Sequence, residues 1–321
     1  MVQGTIAVFG SLNVDLVTRL DRVPGPGETV AARDFAIVPG GKGANQAVAG
    51  GKLGAEVRMF GLVGTDPLAE RLYASLDAAG VDRAAVETVA GVATGTASIW
   101  VEPSGENRIA IAAGANGRLD ARYVDAHLAS LTTASYLLLQ LEVPAATNRH
   151  LLASLPERGG PRVILDPAPA LPLAELPCER VWMLTPNEHE LATLSGMPVA
   201  SEEEVRVAAA WLRERTGATI VLVKAGARGA FLSEPGGFRR VPGFEVGAVD
   251  TTAAGDAFNG ALAAALSRQG TGESKLASAV AYAHAAAALS TTRAGAQPAL
   301  PGSDEVEAFL TDRGLEHGGL T

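Results

Sequence analysis

The chain has 321 residues, 47% hydrophobic and 19% charged, with a net charge of −9. That length and apolar content suffice for a sizeable folded core, while the acidic balance argues against a nucleic-acid partner or an anionic membrane surface. A single cysteine, Cys178, excludes an internal disulfide, leaves zinc ligation without a thiolate pair and reads as an inert thiol in a reduced compartment. The N-terminus lacks a basic region before its apolar segment, so no signal peptide is expected. The most apolar late run, 277–289, contains Tyr282 and His284 and is too short to span a membrane, which makes the cytoplasm the default location.

In chain order, 5–9 reads as a short strand ending in Gly10-Ser11-Leu12-Asn13-Val14-Asp15. Asn13 and Asp15 lie two apart, so on extended backbone an amide and a carboxylate share one face and can hold a pair of hydroxyls. Turn chemistry alone would also account for both residues. Residues 29–38 read as extended, and Gly40-Gly41-Lys42-Gly43-Ala44-Asn45-Gln46 reads as a loop before a small-residue helix at 47–53. That loop is no P-loop: Ala36 stands where the first glycine is needed, and Gly43 replaces the Ser or Thr after the lysine. It is no GxGxxG either, since Gln46 takes the third glycine position. Lys42 and Asn45 offer donors suited to hydroxyl oxygens, although a lone lysine is most often simply solvated.

A strand at 57–63 and a helix at 67–79 form a β–α unit. Strands at 96–101 and 108–112 around Pro103-Ser104-Gly105 form a hairpin that interrupts the alternation and reads as a lid or a dimer surface. Strands at 135–140, 163–165, 181–184 and 219–223 then alternate with helices at 145–155 and 202–216. Polar, Gly or Pro residues recur at the strand ends: Glu142, Asp166-Pro167, Asn187-Glu188-His189-Glu190, and Lys224-Ala225-Gly226-Ala227-Arg228-Gly229. Ligands bind there in parallel α/β sheets. The predicted fold is therefore α/β: a doubly wound, mostly parallel sheet flanked by helices, with a small β-sheet lid at about 13–38 and 96–112. One domain over 1–313 and a frayed tail at 314–321 are expected.

The stretch 250–260, Asp-Thr-Thr-Ala-Ala-Gly-Asp-Ala-Phe-Asn-Gly, follows a strand-like segment at 238–249 and opens a helix running to Leu266. First-turn amides without helical partners, at the positive end of the helix dipole, form an anion site. A carboxylate there, Asp256, suits a base that takes a proton from a hydroxyl attacking phosphorus, although Gly-Asp before an apolar run is also an ordinary helix cap. A helix at 275–289, a loop at 290–301 and a last helix at 304–310 complete the chain.

Taken together, these motifs resemble those of the ribokinase-like family of carbohydrate kinases. Residues 40–47 look like its first signature, 250–256 like its second, and Asn187–Glu190 like its Asn-x-x-Glu. Ala113-Gly114-Ala115-Asn116 and 292–298 are similar to the family as well. The resemblance implies transfer of the γ-phosphoryl of Mg-ATP to the 5-hydroxyl of D-ribose, with 2-deoxyribose, fructose or a nucleoside as alternative acceptors and a non-catalytic sensor as the remote alternative. It implies that Asn13, Asp15, Gly41, Lys42 and Asn45, with Glu142 nearby, hold the sugar and that Asp256 is the base. Ala253, Ala254 and Gly255 would supply the anion hole, and Asn187 and Glu190 would organise Mg²⁺ and ATP. Residues 224–229 and His284 would line adenosine. It further implies a homodimer through the lid, with Ile111 closing over the partner's sugar. A potassium site would be formed by Asp250 and Thr252 with the loop carrying Ser290, Arg293, Gly295 and Ala299. Lys224 stands where some members carry threonine, and Ala299 where some carry serine.

Overall fold

The computed structural model describes residues 4–104, 106–269 and 273–315. Two sheets organise them. At the centre of the larger one is β1 (Ile6–Phe9), with β4 (Val57–Gly64) and then β5 (Asp82–Val89) on one side. On its other side come β8 (Tyr136–Leu139), β9 (Arg162–Leu165), β10 (Val181–Leu184), β11 (Ile220–Lys224), β12 (Ala230–Glu234) and β13 (Gly237–Val241). Every pairing from β5 to β11 is parallel, and only the β11–β12 and β12–β13 pairings at the edge are antiparallel.

The central strands are short unbroken apolar runs because both faces are covered. In β1, Ile6 and Val8 enter one core while Ala7 and Phe9 enter the other. The first core is closed by α1 (Lys42–Lys52), α2 (Pro67–Ala78), α7 (Ala254–Gln269), α8 (Glu273–Thr291) and α9 (Ser303–Thr311). The second is closed by α3 (Ala121–Thr132), α4 (Ala145–Ser154), α5 (Glu188–Ser195) and α6 (Glu202–Thr216). Strand order reverses between β1 and β8, which opens a crevice beyond their carboxyl ends.

The smaller sheet has the order β3 (Ala32–Gly40), β2 (Asn13–Leu20), β6 (Gly95–Val101), β7 (Asn107–Ala112). The two lid segments read from the sequence are thus one sheet, joined by the parallel β2–β6 pairing. Asp15 pairs with Val38 and Ala97, and Ala97 pairs with Ile111, so this row of side chains shares one face.

Several elements differ from expectation. The stretch 42–46 is the first turn of α1, not a loop. Gly41 supplies the left-handed residue at φ 85° that starts the helix, which lets the chain turn helical at once even with Gly43 in the first turn. The strand expected at 238–249 stops at Val241, because Pro242 and Gly243 follow. β5, β12 and α3 were not anticipated. Leu315 packs against the core instead of fraying, and the rest of the expected tail lies outside the described residues.

Candidate active site

Asp256 sits in the first turn of α7 and is 4% exposed. Its Oδ2 accepts from Asn45 Nδ2 at 2.9 Å and its Oδ1 from Gln46 Nε2 at 3.1 Å. Both donors come from α1, which packs on α7 so closely that a Cβ on Gly260 would stand 2.5 Å from the Gln46 carbonyl. The two amides are themselves held. Gln297 Nε2 donates to Asn45 Oδ1 at 3.0 Å, and Gln140 Nε2 donates to Gln46 Oε1 at 2.7 Å. Burial raises the Asp256 pKa, the Lys42 charge opposes the rise and Asp166 adds to it. A carboxylate with a raised pKa and neutral amide donors is suited to accept a proton.

On one side of Asp256 lies a polar pocket. Asn13 and Asp15 stand on β2, both buried. Asn116 Nδ2 donates to Asn13 Oδ1 at 2.8 Å and to the Leu12 carbonyl at 3.0 Å, which fixes the rotamer of Asn13. Glu142 Oε2 accepts from Ser11 Oγ at 2.6 Å and from the Lys42 backbone N–H at 3.0 Å, so it caps α1 while facing Asn13 Nδ2 at 3.4 Å. A Cβ on Gly40 would meet the Asp15 carboxylate, and one on Gly41 would stand 2.6 Å from the Asn13 nitrogen. Those two glycines let the start of α1 approach β2. Burial, then the charges of Glu142 and Asp256, push Asp15 up to about 7 against the pull of Lys42. Burial lowers the Lys42 pKa, but Asp256, Asp166, Glu142 and Glu190 outweigh it, so the ammonium stays charged.

On the other side, the start of α7 opens onto a cavity of about 310 Å³. Ala253 has φ 60°, a left-handed conformation that costs a β-carbon-bearing residue on the order of 1 kcal/mol and recurs at ligand sites. Ala254 and Gly255 follow it along the cavity wall. Asn187 and Glu190 also line it, and they form a capping box: Asn187 Oδ1 accepts from the Glu190 N–H at 2.8 Å, and Glu190 Oε2 from the Asn187 N–H at 2.7 Å. A second, more apolar cavity of about 450 Å³ adjoins the first, walled by Phe244, Val246 and Ala288. His284 lines both cavities. Burial drives its pKa down to about 4, a backbone hydrogen bond with Gly229 opposes, and its buried Nε2 has no hydrogen-bond partner among the described residues. The ring is therefore neutral near pH 7.

Not all predicted side chains converge. Gly226 and Ala227 border the apolar cavity, and Ala225 and Gly229 are buried behind them. Lys224 does not join them there. Its Nζ pairs with Asp166 Oδ1 at 2.9 Å in the polar cavity. Arg228 turns outward to Glu188 and to the Ala200 carbonyl, so only its backbone can serve the pocket. Arg293 is ion-paired to Glu305, and Ser290 Oγ donates to the Ala287 carbonyl at 2.8 Å. Asp250 Oδ1 accepts from Thr252 N–H and Oδ2 from Gly295 N–H, both at 2.9 Å, which ties the chain before α7 to the loop after α8. Ala299 is buried. Ile111 is 52% exposed on the edge strand of the small sheet. Sequence reading assigned no role to Asp166, Gln46, Gln140 or Gln297. Asp166, at a strand end, carried the clearest signal.

With this geometry in place, the chain belongs to the pfkB family of carbohydrate kinases, matched over residues 3–302. Within that family it is 38% identical to the ribokinase of Haemophilus influenzae over 306 residues, 95% of this chain and 98% of that protein. It is 37% identical to the deoxyribokinase of Salmonella typhimurium over 307 residues, again 95% and 98%. The structure of Arabidopsis thaliana ribokinase complexed with ribose and ATP superposes with a TM-score of 0.86 at 32% identity, covering 97% of this chain and 99% of that one. Among the described residues no helix is long and apolar enough to cross a membrane.

Proposed function

We propose that the chain is a ribokinase that transfers the γ-phosphoryl of ATP to the 5-hydroxyl of D-ribose, working in the cytoplasm. The observation that carries this reading is the position of Asp256 between a pocket of hydroxyl-binding groups and a helix N-terminus facing a polar cavity. Asn13 and Asp15 hold the sugar hydroxyls, and Lys42, Asn45 and Glu142 complete the pocket. Asp256 takes the proton of the 5-hydroxyl as its oxygen attacks phosphorus in line with the leaving ADP. The amides of Ala254 and Gly255 receive charge on the transferred group, and one such donor is typically worth about 10²–10³ in rate. The purine sits in the apolar cavity beside His284.

Mg²⁺ fits beside Asn187 and Glu190, because magnesium keeps several waters and needs only one or two carboxylates besides the phosphates. When bound it supplies charge neutralisation on the phosphates. For potassium, the arrangement supporting a site is Asp250 and the loop to Ala299, where backbone carbonyls suit a large, weakly hydrated cation. Ala299 brings no hydroxyl, so the site would be weak. A cation held there by Asp250 and that loop would order the turn from Asp250 to Gly255 without touching substrate.

The small sheet supports a homodimer. Ile109 and Ile111 are 55% and 52% exposed on one of its faces, with Phe35 and Trp100 exposed on the other, and neighbouring exposed apolar groups on one face mark an association surface. Ile109 and Ile111 share the face of Asp15, so a partner's sheet would cover the sugar and exclude water.

An ATP-consumption assay across D-ribose, 2-deoxyribose, fructose and a nucleoside tests the reading. D-ribose should give the highest kcat/KM, with more activity in potassium than in sodium at matched ionic strength. A hexose or nucleoside that outruns ribose, or ATP turnover that ignores sugar, contradicts the function; equal rates in the two salts contradict the potassium site. 2-Deoxyribose is the one competitor favoured by a specific finding, the 37% identity to a deoxyribokinase.

A further inference from the structure

Lys224 ends β11, and its side chain is 11% exposed. The ammonium passes the carboxyl end of β10 to reach Asp166, which follows β9, and pairs with its Oδ1 at 2.9 Å. Two strand spacings amount to about 10 Å, so the contact needs the full length of the lysine and a small residue between; Thr185, fully buried, stands there. Asp166 Oδ2 accepts from Gln46 Nε2 at 3.0 Å, and the same Nε2 donates to Asp256 Oδ1 at 3.1 Å. Three contacts thus run from Lys224 to the base. On its other side, Lys224 Nζ lies 3.3 Å from the point a Cβ on Gly255 would occupy.

This places a second cation in the polar cavity, against the start of α7 and away from the apolar one. Three carboxylates, Asp166, Glu190 and Asp256, line that cavity with only Lys42 and Lys224 to offset them. An anionic polyphosphate entering without Lys224 would meet two uncompensated negative charges. An ammonium with three donors and one protein acceptor among the described residues is equipped to take phosphate oxygens.

Building on the kinase reading above, we infer that Lys224 is a phosphate-binding residue of this chain, holding the terminal phosphates of the donor nucleotide, and that Asp166 is its positioning residue. Asp166 keeps the ammonium against Gly255 and ties it through Gln46 to Asp256, so the donor phosphates and the base are set by one hydrogen-bonded chain. A threonine at this position could donate one hydrogen bond but carry no charge.

The test is calorimetric binding of ADP and of adenosine to Lys224→Met, to Asp166→Asn and to the double variant. Lys224→Met should lose on the order of tenfold to a hundredfold in ADP affinity, the range for a lost charge-assisted hydrogen bond, while adenosine binds within about twofold of the parent. The ADP loss should persist in the double variant, and Asp166→Asn should lower kcat more than ADP affinity. Equal losses for ADP and adenosine would place Lys224 at the nucleoside or make it structural. Recovery of ADP affinity in the double variant would assign the effect to an unpaired Asp166. Either result overturns the inference. If ribose were not the acceptor, the ADP-to-adenosine split would still stand, so failure of the sugar reading and failure of this inference are separable.

Discussion

Asp256 and Asp15 are both buried carboxylates, yet their surroundings give them different tasks. Asp256 is held by two amides and faces the polar cavity. Asp256→Asn keeps its shape and should fold, with kcat lower by about 10²–10⁴, the size of a general-base contribution. Ribose affinity by calorimetry should stay within a few fold, and near-full turnover would reduce Asp256 to a helix cap. Asp15 is raised from the ordinary 3.8 to about 7. Its folded pKa lies above its unfolded one, so the folded state binds more protons between those values. Stability from this group is therefore complete below about 4 and is lost as pH rises through about 7. Asp15→Asn should make the sugar-free protein more stable at pH 8 by about 1–3 kcal/mol, with the gain vanishing near pH 4. It should also raise the KM for ribose far more than that for ATP. Urea unfolding at the two pH values checks the first claim, and a pH-independent difference would contradict it.

At the scale of elements, the site depends on how closely α1 and α7 approach. Gly260 lets them do so: an added Cβ would stand 2.6 Å from Ala49 Cβ and 3.0 Å from Gly50 N, besides the Gln46 carbonyl. Gly260→Ala should therefore cost about 1–3 kcal/mol by overpacking and lower kcat as well, since Gln46 must shift. A thermal melt and a rate measurement on the same sample check this, and an unchanged melt would show that the helices yield freely. This contact was not legible in the sequence, where Gly260 is one small residue among many. The strands β8 to β11 were legible, because buried parallel strands are short apolar runs with polar ends. Asn13, Asp15 and Asp256 were legible as candidates by spacing and residue type. The helical start at Lys42 was missed because glycines at 41 and 43, before and inside the first turn, argue against a helix, and only the packing against β2 and α7 overrides that. The family resemblance placed Lys224 with the adenosine contacts; its long side chain carries the charge to Asp166, two strands away.

For the whole molecule, the proposed assembly rests on the small sheet. Ile109 and Ile111 lie on the Asp15 face of β7, a strand exposed throughout. Ile109→Asp with Ile111→Asp should convert a dimer to a monomer by light scattering, raising the KM for ribose and leaving that for ATP nearly unchanged. A parent protein that is already monomeric would remove the lid interface. The measurement that bears most directly on Asp256 and the 5-hydroxyl is the identity of the product. Phosphorus NMR of the protein with Mg-ATP and D-ribose should show one phosphomonoester on C5, formed in step with ADP. An ester on C1, or inorganic phosphate in place of any ester, would contradict the placement of the sugar against Asp256.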